Sequence, residues 1–236
     1  MALPTISTPT FEVELPSTKE KLMYRPFLVK EEKVLLIAKE SGEKLDIYNA
    51  IKTIINNCVL KEGFNINDYP VFDLEFLFIQ IRAVSVGNVV KFQVQDSDDG
   101  ITYDLEVDLN EVKVEFPEEV SDTVMITDTV GLTLNHPTPA ISDSLAGVKD
   151  IVDLTERMID ACIETIFDEN DVFMWKQESK VDRQHFIDTL PIEAYNKIQD
   201  FFGSAPKIEH IVTYTNSNNK EKKVVFRDLD DFFQLG

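Results

Sequence analysis

The chain is poor in cysteine, glycine and basic residues, and each scarcity excludes a class of protein. Its 236 residues include two cysteines, Cys58 and Cys162, so neither a disulfide framework nor a four-cysteine zinc site is possible. It has 8 glycines and no Gly-Lys-Ser or Gly-Lys-Thr pattern for holding a nucleotide phosphate. Lys and Arg number 23 against 43 Asp and Glu. The resulting net charge of −20 disfavours nucleic acid and membrane surfaces as partners.

Long hydrophobic runs are missing as well. No apolar stretch is long enough to cross a bilayer, and residues 1–16 lack the basic and apolar regions of a signal peptide. The two thiols follow helical spacing and are expected to be buried. These features predict an intracellular protein in a reducing compartment.

Patterns typical of catalytic or metal sites are not found. His136, His185 and His210 are isolated, and neither HExxH nor GxSxG occurs. Acidic pairs arise by chance among so many carboxylates, and none lies in an aromatic, glycine-rich context typical of a sugar-binding groove. We therefore predict no enzyme activity, no cofactor and no small-molecule substrate.

One acidic cluster resembles a calcium loop. Asp96, Asp98 and Asp99 precede a glycine, but an EF-hand counted from Asp96 needs glycine at its sixth position and glutamate at its twelfth. Those positions hold Ile101 and Val107. We interpret the cluster as the solvated tip of a hairpin.

Hydrophobic periodicity predicts five helices. The first is capped by Asp46, the second ends before Gly87, and the fourth is capped by Asp182. The predicted ranges are 46–60, 72–86, 148–167, 181–189 and 191–203. A further apolar run within residues 30–40 fits either a strand or a short helix.

The rest of the chain favours antiparallel strands. Residues 88–135 alternate in polarity and predict a central meander, and residues from 207 onward predict a C-terminal β hairpin. The fold class is therefore α+β, with helices flanking the meander. We expect an extended N-terminal arm over residues 1–20 and a single domain over 21–236, with a possible hinge near 136–146.

The acidic excess lies entirely in the middle of the chain. Residues 61–206 carry 30 acidic and 10 basic side chains, whereas the two ends together are neutral. Such a density of acidic side chains either keeps a surface solvated or attracts a basic partner toward it.

Three stretches of the chain read LPSTKEKLMYRPFLVKEEKVLLIAKE, FDLEFLFIQIRAVSVGN and FFGSAPKIEHIVTYTN, and a terminal LDDFF follows. They resemble the T-even-type bacteriophage baseplate protein family. Some relatives have a cysteine pair in the strands after the second stretch, and its absence here excludes a metal ribbon. The motif residues that carry the resemblance are Arg25, Pro26, Phe27, Arg82, Ser85 and Gly87.

The resemblance implies a non-enzymatic protein of the tail baseplate hub, either a virion subunit or a factor that assembles the hub. Its partners would be other tail and baseplate hub proteins, and its location the virion tail or the infected host's cytoplasm during assembly. One alternative is an assembly chaperone absent from the mature virion. Another, of a different class, is a cell-wall hydrolase of the tail.

Two features are candidates for specific contacts. Arg82, near a helix C-terminus, either holds last-turn carbonyls and pairs with Asp73 or Glu75 or contacts a partner. The aromatic tail with Phe232, Phe233 and Leu235 either inserts into a groove of another chain or docks on its own domain. The candidates for partner binding are therefore Phe232, Phe233 and Leu235.

Overall fold

The computed structural model describes residues 6–117 and 121–233. They divide into two compact units. Unit 1 contains the described residues up to Glu115 and from Lys207 onward, and unit 2 contains those between Phe116 and Pro206. The division falls outside residues 136–146, and a single domain with a hinge there stays a prediction.

Helices and strands alternate in groups along the chain. In chain order they are β1 (Phe11–Glu14), β2 (Lys21–Tyr24), α1 (Val29–Ser41), α2 (Lys44–Cys58), α3 (Val71–Val86), β3 (Val89–Gln95), β4 (Thr102–Asp108), β5 (Lys113–Glu115), β6 (Thr123–Met125), β7 (Gly131–Leu134), α4 (Pro139–Leu145), α5 (Ile151–Cys162), β8 (Ile163–Phe167), β9 (Val172–Met174), α6 (Lys180–Asp188), α7 (Ile192–Gly203), β10 (Lys207–Thr215), β11 (Glu221–Phe226) and α8 (Leu229–Phe233). The predicted α+β class is confirmed.

Helix α3 forms the centre of unit 1. Apolar residues occur on every side of it, a composition typical of a helix buried all round. Its fully buried apolar side chains are Leu74, Leu77, Phe78, Ile79 and Ile81. The helix starts after Pro70 and ends before Gly87, as the sequence predicts.

Helices α1 and α2 differ in how well the sequence predicts them. The apolar run of residues 30–40 is helical, as part of α1. Helix α2 begins at Lys44, two residues before the predicted cap Asp46. Asp46 lies in its first turn instead, where a carboxylate interacts favourably with the N-terminal end of the helix dipole.

The strands of unit 1 are antiparallel but belong to three sheets. β1 pairs with β2, β3 pairs with β4, and β10 lies between β11 and β5. The predicted C-terminal hairpin is confirmed as β10–β11. One continuous meander over residues 88–135 is not formed, because a 3-10 turn at Leu109–Glu111 redirects the chain after β4. Its first residue, Leu109, and the residue that follows it, Val112, are buried, so the turn is fixed by packing.

The second half of the predicted N-terminal arm is part of unit 1. Residues Phe11–Glu14 pair with β2, and the side chain of Leu15 is fully buried. Residues 1–5 lie outside the described part of the chain.

Unit 2 packs helices against one face of a four-stranded sheet in the order β6-β7-β8-β9. Its core is shared between sheet and helices and contains Val124, Leu132, Leu134, Ile159, Ile163, Trp175, Ile187, Ile198 and Phe201. The predicted helix over 148–167 is too long. It ends at Cys162 because the following Ile-Glu-Thr-Ile-Phe, rich in β-branched and aromatic residues, pairs with β7 as strand β8. Helix α6 is capped by Ser179 and not by Asp182.

Candidate functional site

The Arg-Pro-Phe motif connects two helices of unit 1. Nη2 of Arg25 donates to Oε1 of Glu31 in α1 at 3.1 Å and to the carbonyl oxygen of Asn57 in α2 at 3.0 Å. Nη1 donates to the carbonyl oxygen of Pro26 at 2.9 Å. The side chains of Arg25 and Glu31 are 13% and 1% exposed. Arg25 therefore forms a buried ion pair that holds the start of α1 to the end of α2.

Glu31 also caps its own helix. Its Oε2 accepts the backbone N–H of Leu28 at 2.9 Å, the reach-back half of a capping box. Burial raises the pKa of this carboxyl, but the hydrogen bonds from Arg25 and Leu28 outweigh burial and lower it. Arg25 is one of the residues predicted from the sequence, whereas Glu31 is not. A glutamate three residues after the helix boundary was the available signal.

The same motif contacts the end of α3. The backbone N–H of Phe27 donates to Oγ of Ser85 at 2.9 Å, and that hydroxyl donates to the carbonyl oxygen of Ile81. Gly87 follows with φ +114°, a conformation that glycine adopts without the steric cost of a Cβ atom. The structure thus brings the Arg25–Phe27 segment and Ser85 together.

Arg82 does not pair with Asp73, and its predicted contacts with Glu75 and with last-turn carbonyls stay predictions. The carboxylate of Asp73 accepts the backbone N–H of Ser17 at 3.1 Å and also its hydroxyl, so the predicted pairing of Arg82 with Asp73 is wrong. Within residues 6–117 and 121–233, Nη1 of Arg82 is buried without a hydrogen-bond partner. Burial lowers the pKa of the guanidinium. An unsatisfied buried donor costs stability, and a partner contact through Arg82 stays a prediction.

The acidic cluster after β3 is docked on the C-terminal hairpin. Oδ2 of Asp96 accepts from the hydroxyl of Tyr214 at 2.9 Å and from Nδ2 of Asn216 at 3.3 Å. Oδ2 of Asp99 accepts from the backbone N–H and the hydroxyl of Ser217 at 3.0 and 2.8 Å. Asp96 is only 3% exposed. The interpretation as a solvated tip is therefore wrong for this residue.

Charge complementarity reinforces this contact. Oδ2 of Asp98 lies 2.7 Å from Nζ of Lys222 and 3.3 Å from Nζ of Lys220. Burial opposes the ionisation of Asp96, but hydrogen bonds from the Asp98 N–H, Tyr214 and the Asn216 amide keep its pKa low. Burial and the bond to Asp96 raise the pKa of Tyr214 to about 12. The cluster is a connection between two hairpins of unit 1.

The aromatic tail folds onto its own unit. Phe232 is 3% exposed, and its ring centroid lies 5.2 Å from that of Phe226. The structure thus shows the second of the two alternatives, in which the tail docks on its own domain. The side chain of Phe233 and all of Leu235 lie outside what the structure describes. Partner binding by the tail stays a prediction and would require Phe232 to leave this core.

Helix α1 presents apolar side chains to solvent. Val29, Leu36 and Ile37 are 65%, 53% and 67% exposed. Their positions fall on one side of the helix, together with the exposed Lys33 and Glu40 and opposite the buried Glu31 and Ala38. We call these three residues the α1 apolar face. It exists because five consecutive apolar residues, 34–38, cannot all face one core from a helix.

A second exposed apolar surface, in addition to the α1 apolar face, lies on the sheet of unit 2. Met125, Gly131, Phe167 and Val172 are direct cross-strand neighbours, one on each strand, and therefore share a face. The ring of Phe167 lies across Gly131, where a Cβ atom would come within 2.4 Å of its Cζ. Met125 and Val172 are 41% and 67% exposed. We call these four residues the open row.

Neither a metal site nor a membrane-spanning helix occurs among the described residues. No group of three or more His, Cys, Asp or Glu side chains there is placed to hold a metal ion. No helix in this part of the chain combines the length and the apolar content that a membrane crossing needs.

Comparison with known proteins identifies the family. No curated protein and no solved structure is significantly similar to the chain. A family described as "T4 bacteriophage base plate protein" matches residues 8–234. This match includes both units and every motif that carries the resemblance, from Arg25 to Phe233. The chain belongs to the T4 bacteriophage base plate protein family.

Proposed function

Because membership of this family implies association with the phage tail and contact with other baseplate proteins, we propose a hub role. The chain is a non-enzymatic baseplate hub subunit or hub-assembly factor that acts through protein–protein contacts. The observation that carries this proposal is the α1 apolar face. Exposed apolar groups on one side of a helix are typical of surfaces that a partner covers.

The energetics of such a contact favour association. Fully burying an exposed Val, Leu or Ile side chain contributes roughly 1.5–3 kcal/mol, and each of these three contributes less because it is already partly buried. Part of this gain offsets the entropy lost on binding. The net charge of −20 adds long-range attraction to basic surfaces, which raises the rate of encounter more than the final affinity.

The test changes the α1 apolar face alone. The double variant Leu36→Lys with Ile37→Lys, co-expressed with the other baseplate proteins of the same phage, should lose co-purification with them. Its thermal unfolding should stay unchanged because both side chains are more than half exposed. The matched control is Ile192→Lys in unit 2, which is 79% exposed and should co-purify normally. Normal co-purification of the double variant would refute this role of α1.

The fate of the protein separates the two forms of the proposal. A hub subunit is present in purified virions in a fixed ratio to other baseplate proteins, whereas an assembly factor acts in the host cytoplasm and is absent from them. Quantitative mass spectrometry of virions distinguishes these outcomes. A zymogram on peptidoglycan addresses the absence of enzyme activity, because clearing by the purified protein would contradict it.

A further inference from the structure

We propose that unit 2 binds an extended segment of a partner protein as an additional strand on β9. The segment alternates apolar residues with Lys or Arg. The inference rests on the proposed function only for the identity of the partner, another baseplate protein. The binding itself follows from the edge strand, the open row and the charges around them.

Strand β9 is an unprotected edge of the sheet. It pairs with β8 on one side, and no other described strand pairs with it. Its three residues, Val172, Phe173 and Met174, are 67%, 43% and 46% exposed. Edge strands usually contain a lysine, a proline or a bulge that prevents further pairing. This Val-Phe-Met strand contains none of them.

The hairpin geometry leaves backbone groups available at this edge. The N–H of Asp168 donates to the carbonyl oxygen of Asp171 at 3.0 Å, which fixes the alternation of hydrogen-bonded pairs along β8 and β9. Phe173 accordingly directs its N–H and C=O toward β8. Val172 directs its N–H and C=O away from the sheet, and Met174 directs its N–H the same way, where an added strand would meet them. The C=O of Met174 starts the 3-10 turn Trp175–Gln177 instead.

The open row extends to the same edge. It ends at Val172, so a residue of an added strand would be the next neighbour of that side chain on the open face. An apolar residue there would continue the row and cover the exposed side of Val172. The next residue of the segment points to the other face, so alternation is required.

The charge around the row selects a basic segment. Asp128 lies in the loop between β6 and β7, and Asp168, Glu169 and Asp171 lie in the loop between β8 and β9; all four are exposed. Both loops leave the sheet at the end where the open row lies. Residues 116–206 contain 18 acidic and 6 basic side chains. Repulsion between like charges therefore opposes pairing with a second copy of the chain. Lys or Arg residues in the segment are attracted to the acidic side chains around the row.

The experiment uses the full chain, isotope-labelled for NMR, and two synthetic peptides. One alternates lysine with valine, and the other replaces each lysine by glutamate. We expect the lysine peptide to shift the amide signals of Val172 and Met174, with an affinity that falls as salt is added. The glutamate peptide should not bind. Shifts spread over the acidic surface without β9, or equal binding of both peptides, would overturn the proposal.

A backbone variant tests the added strand directly. Met174 has φ −78°, which proline tolerates, so Met174→Pro removes the outward N–H while the bonds to β8 remain. Compared with Met174→Ala, which keeps that N–H, we expect about tenfold weaker peptide binding. Equal affinity of the two variants would contradict strand addition. A concentration-dependent dimer of the free chain would also contradict it.

A charge variant covers the case in which Met174→Pro fails to fold. Glu169→Gln with Asp171→Asn changes two exposed side chains and should weaken the lysine peptide and reduce the salt dependence. Unchanged affinity and salt dependence would refute the charge argument. These measurements use the isolated chain, so their failure is distinguishable from a loss of co-purification through α1.

Discussion

The buried ion pair between Arg25 and Glu31 gives the sharpest stability prediction. Glu31→Ala leaves the guanidinium, 13% exposed, without its counterion. Removing one partner of a buried pair typically costs about 3–5 kcal/mol. Arg25 keeps two carbonyl acceptors, those of Pro26 and Asn57, so we expect about 3 kcal/mol. The loss of the contact with Leu28 at the start of α1 is included in this figure.

The assay is urea unfolding followed by two probes. Far-UV circular dichroism reports the helices of both units. Trp175 is the single tryptophan and is 1% exposed in unit 2, so its fluorescence reports that unit. If the units unfold independently, Glu31→Ala lowers the urea concentration at which unit 1 unfolds by circular dichroism. The urea midpoint of the fluorescence transition, which reports unit 2, stays unchanged. If both transitions move together, the chain unfolds as one cooperative domain.

A surface ion pair of the same unit provides the control. Glu12 and Lys21 are 2.9 Å apart but 56% and 65% exposed, and Glu12→Ala should change stability by less than about 1 kcal/mol. A cost below about 1 kcal/mol for Glu31→Ala would refute the reasoning from burial.

The pKa of Glu31 gives the sign of its pH dependence. Its carboxyl has a lower pKa in the folded chain than in the unfolded one. Its stabilising contribution is therefore fully present above the unfolded value of about 4.3 and is lost as pH falls through the lower folded value. The stability difference between the wild type and Glu31→Gln should shrink over that acidic range.

Three further predictions follow from side chains in or near the cores. Arg82→Met should raise the free energy of unfolding by about 1 kcal/mol, because it removes a buried donor without a partner; lower stability in urea would contradict this. Gly131→Ala should destabilise unit 2 by about 1–3 kcal/mol, because the added Cβ would overlap the ring of Phe167. Urea unfolding followed by tryptophan fluorescence measures this loss. Gly203→Ala, with open space around the added Cβ, is the control and should not lose stability in this way. Burial raises the pKa of Cys58 to about 11 and that of Cys162 to about 12, so both thiols should react with a disulfide reagent only on unfolding, and fast labelling of the native chain would refute their burial.

Local sequence determines several elements well enough to predict them. Helix α3 follows from its continuous apolar composition between Pro70 and Gly87. Helix α7 follows from Pro191 and Gly203 in the same way. The C-terminal hairpin follows from alternation on both sides of a polar turn. In each of these cases the residues that decide the structure lie inside the element or directly beside it.

Pairing partners distant in sequence explain the errors. Ile163–Phe167 continues the periodicity of α5, and only β7, some thirty residues earlier, makes it a strand. The docking of Asp96 on Tyr214 joins residues 118 positions apart. The docking of Asp96 leaves no local pattern, and the β-branched and aromatic composition of β8 does not by itself separate it from a continued helix. Strand β9, by contrast, had a readable signal, because Val-Phe-Met follows the Asp-Glu-Asn-Asp turn after β8.

The pairing of β5 with β10 also has a consequence for how the protein is made. Lys207 is the direct cross-strand neighbour of Glu115, so the residues between them leave and re-enter unit 1 at adjacent points. A ribosome completes unit 2 before it delivers Ile208, Phe226 and Phe232, which unit 1 needs for its core. Unit 2 can thus fold during synthesis, while unit 1 must wait until these three core residues have been made. Replacing residues 116–206 by a short turn should leave a shorter chain that still folds.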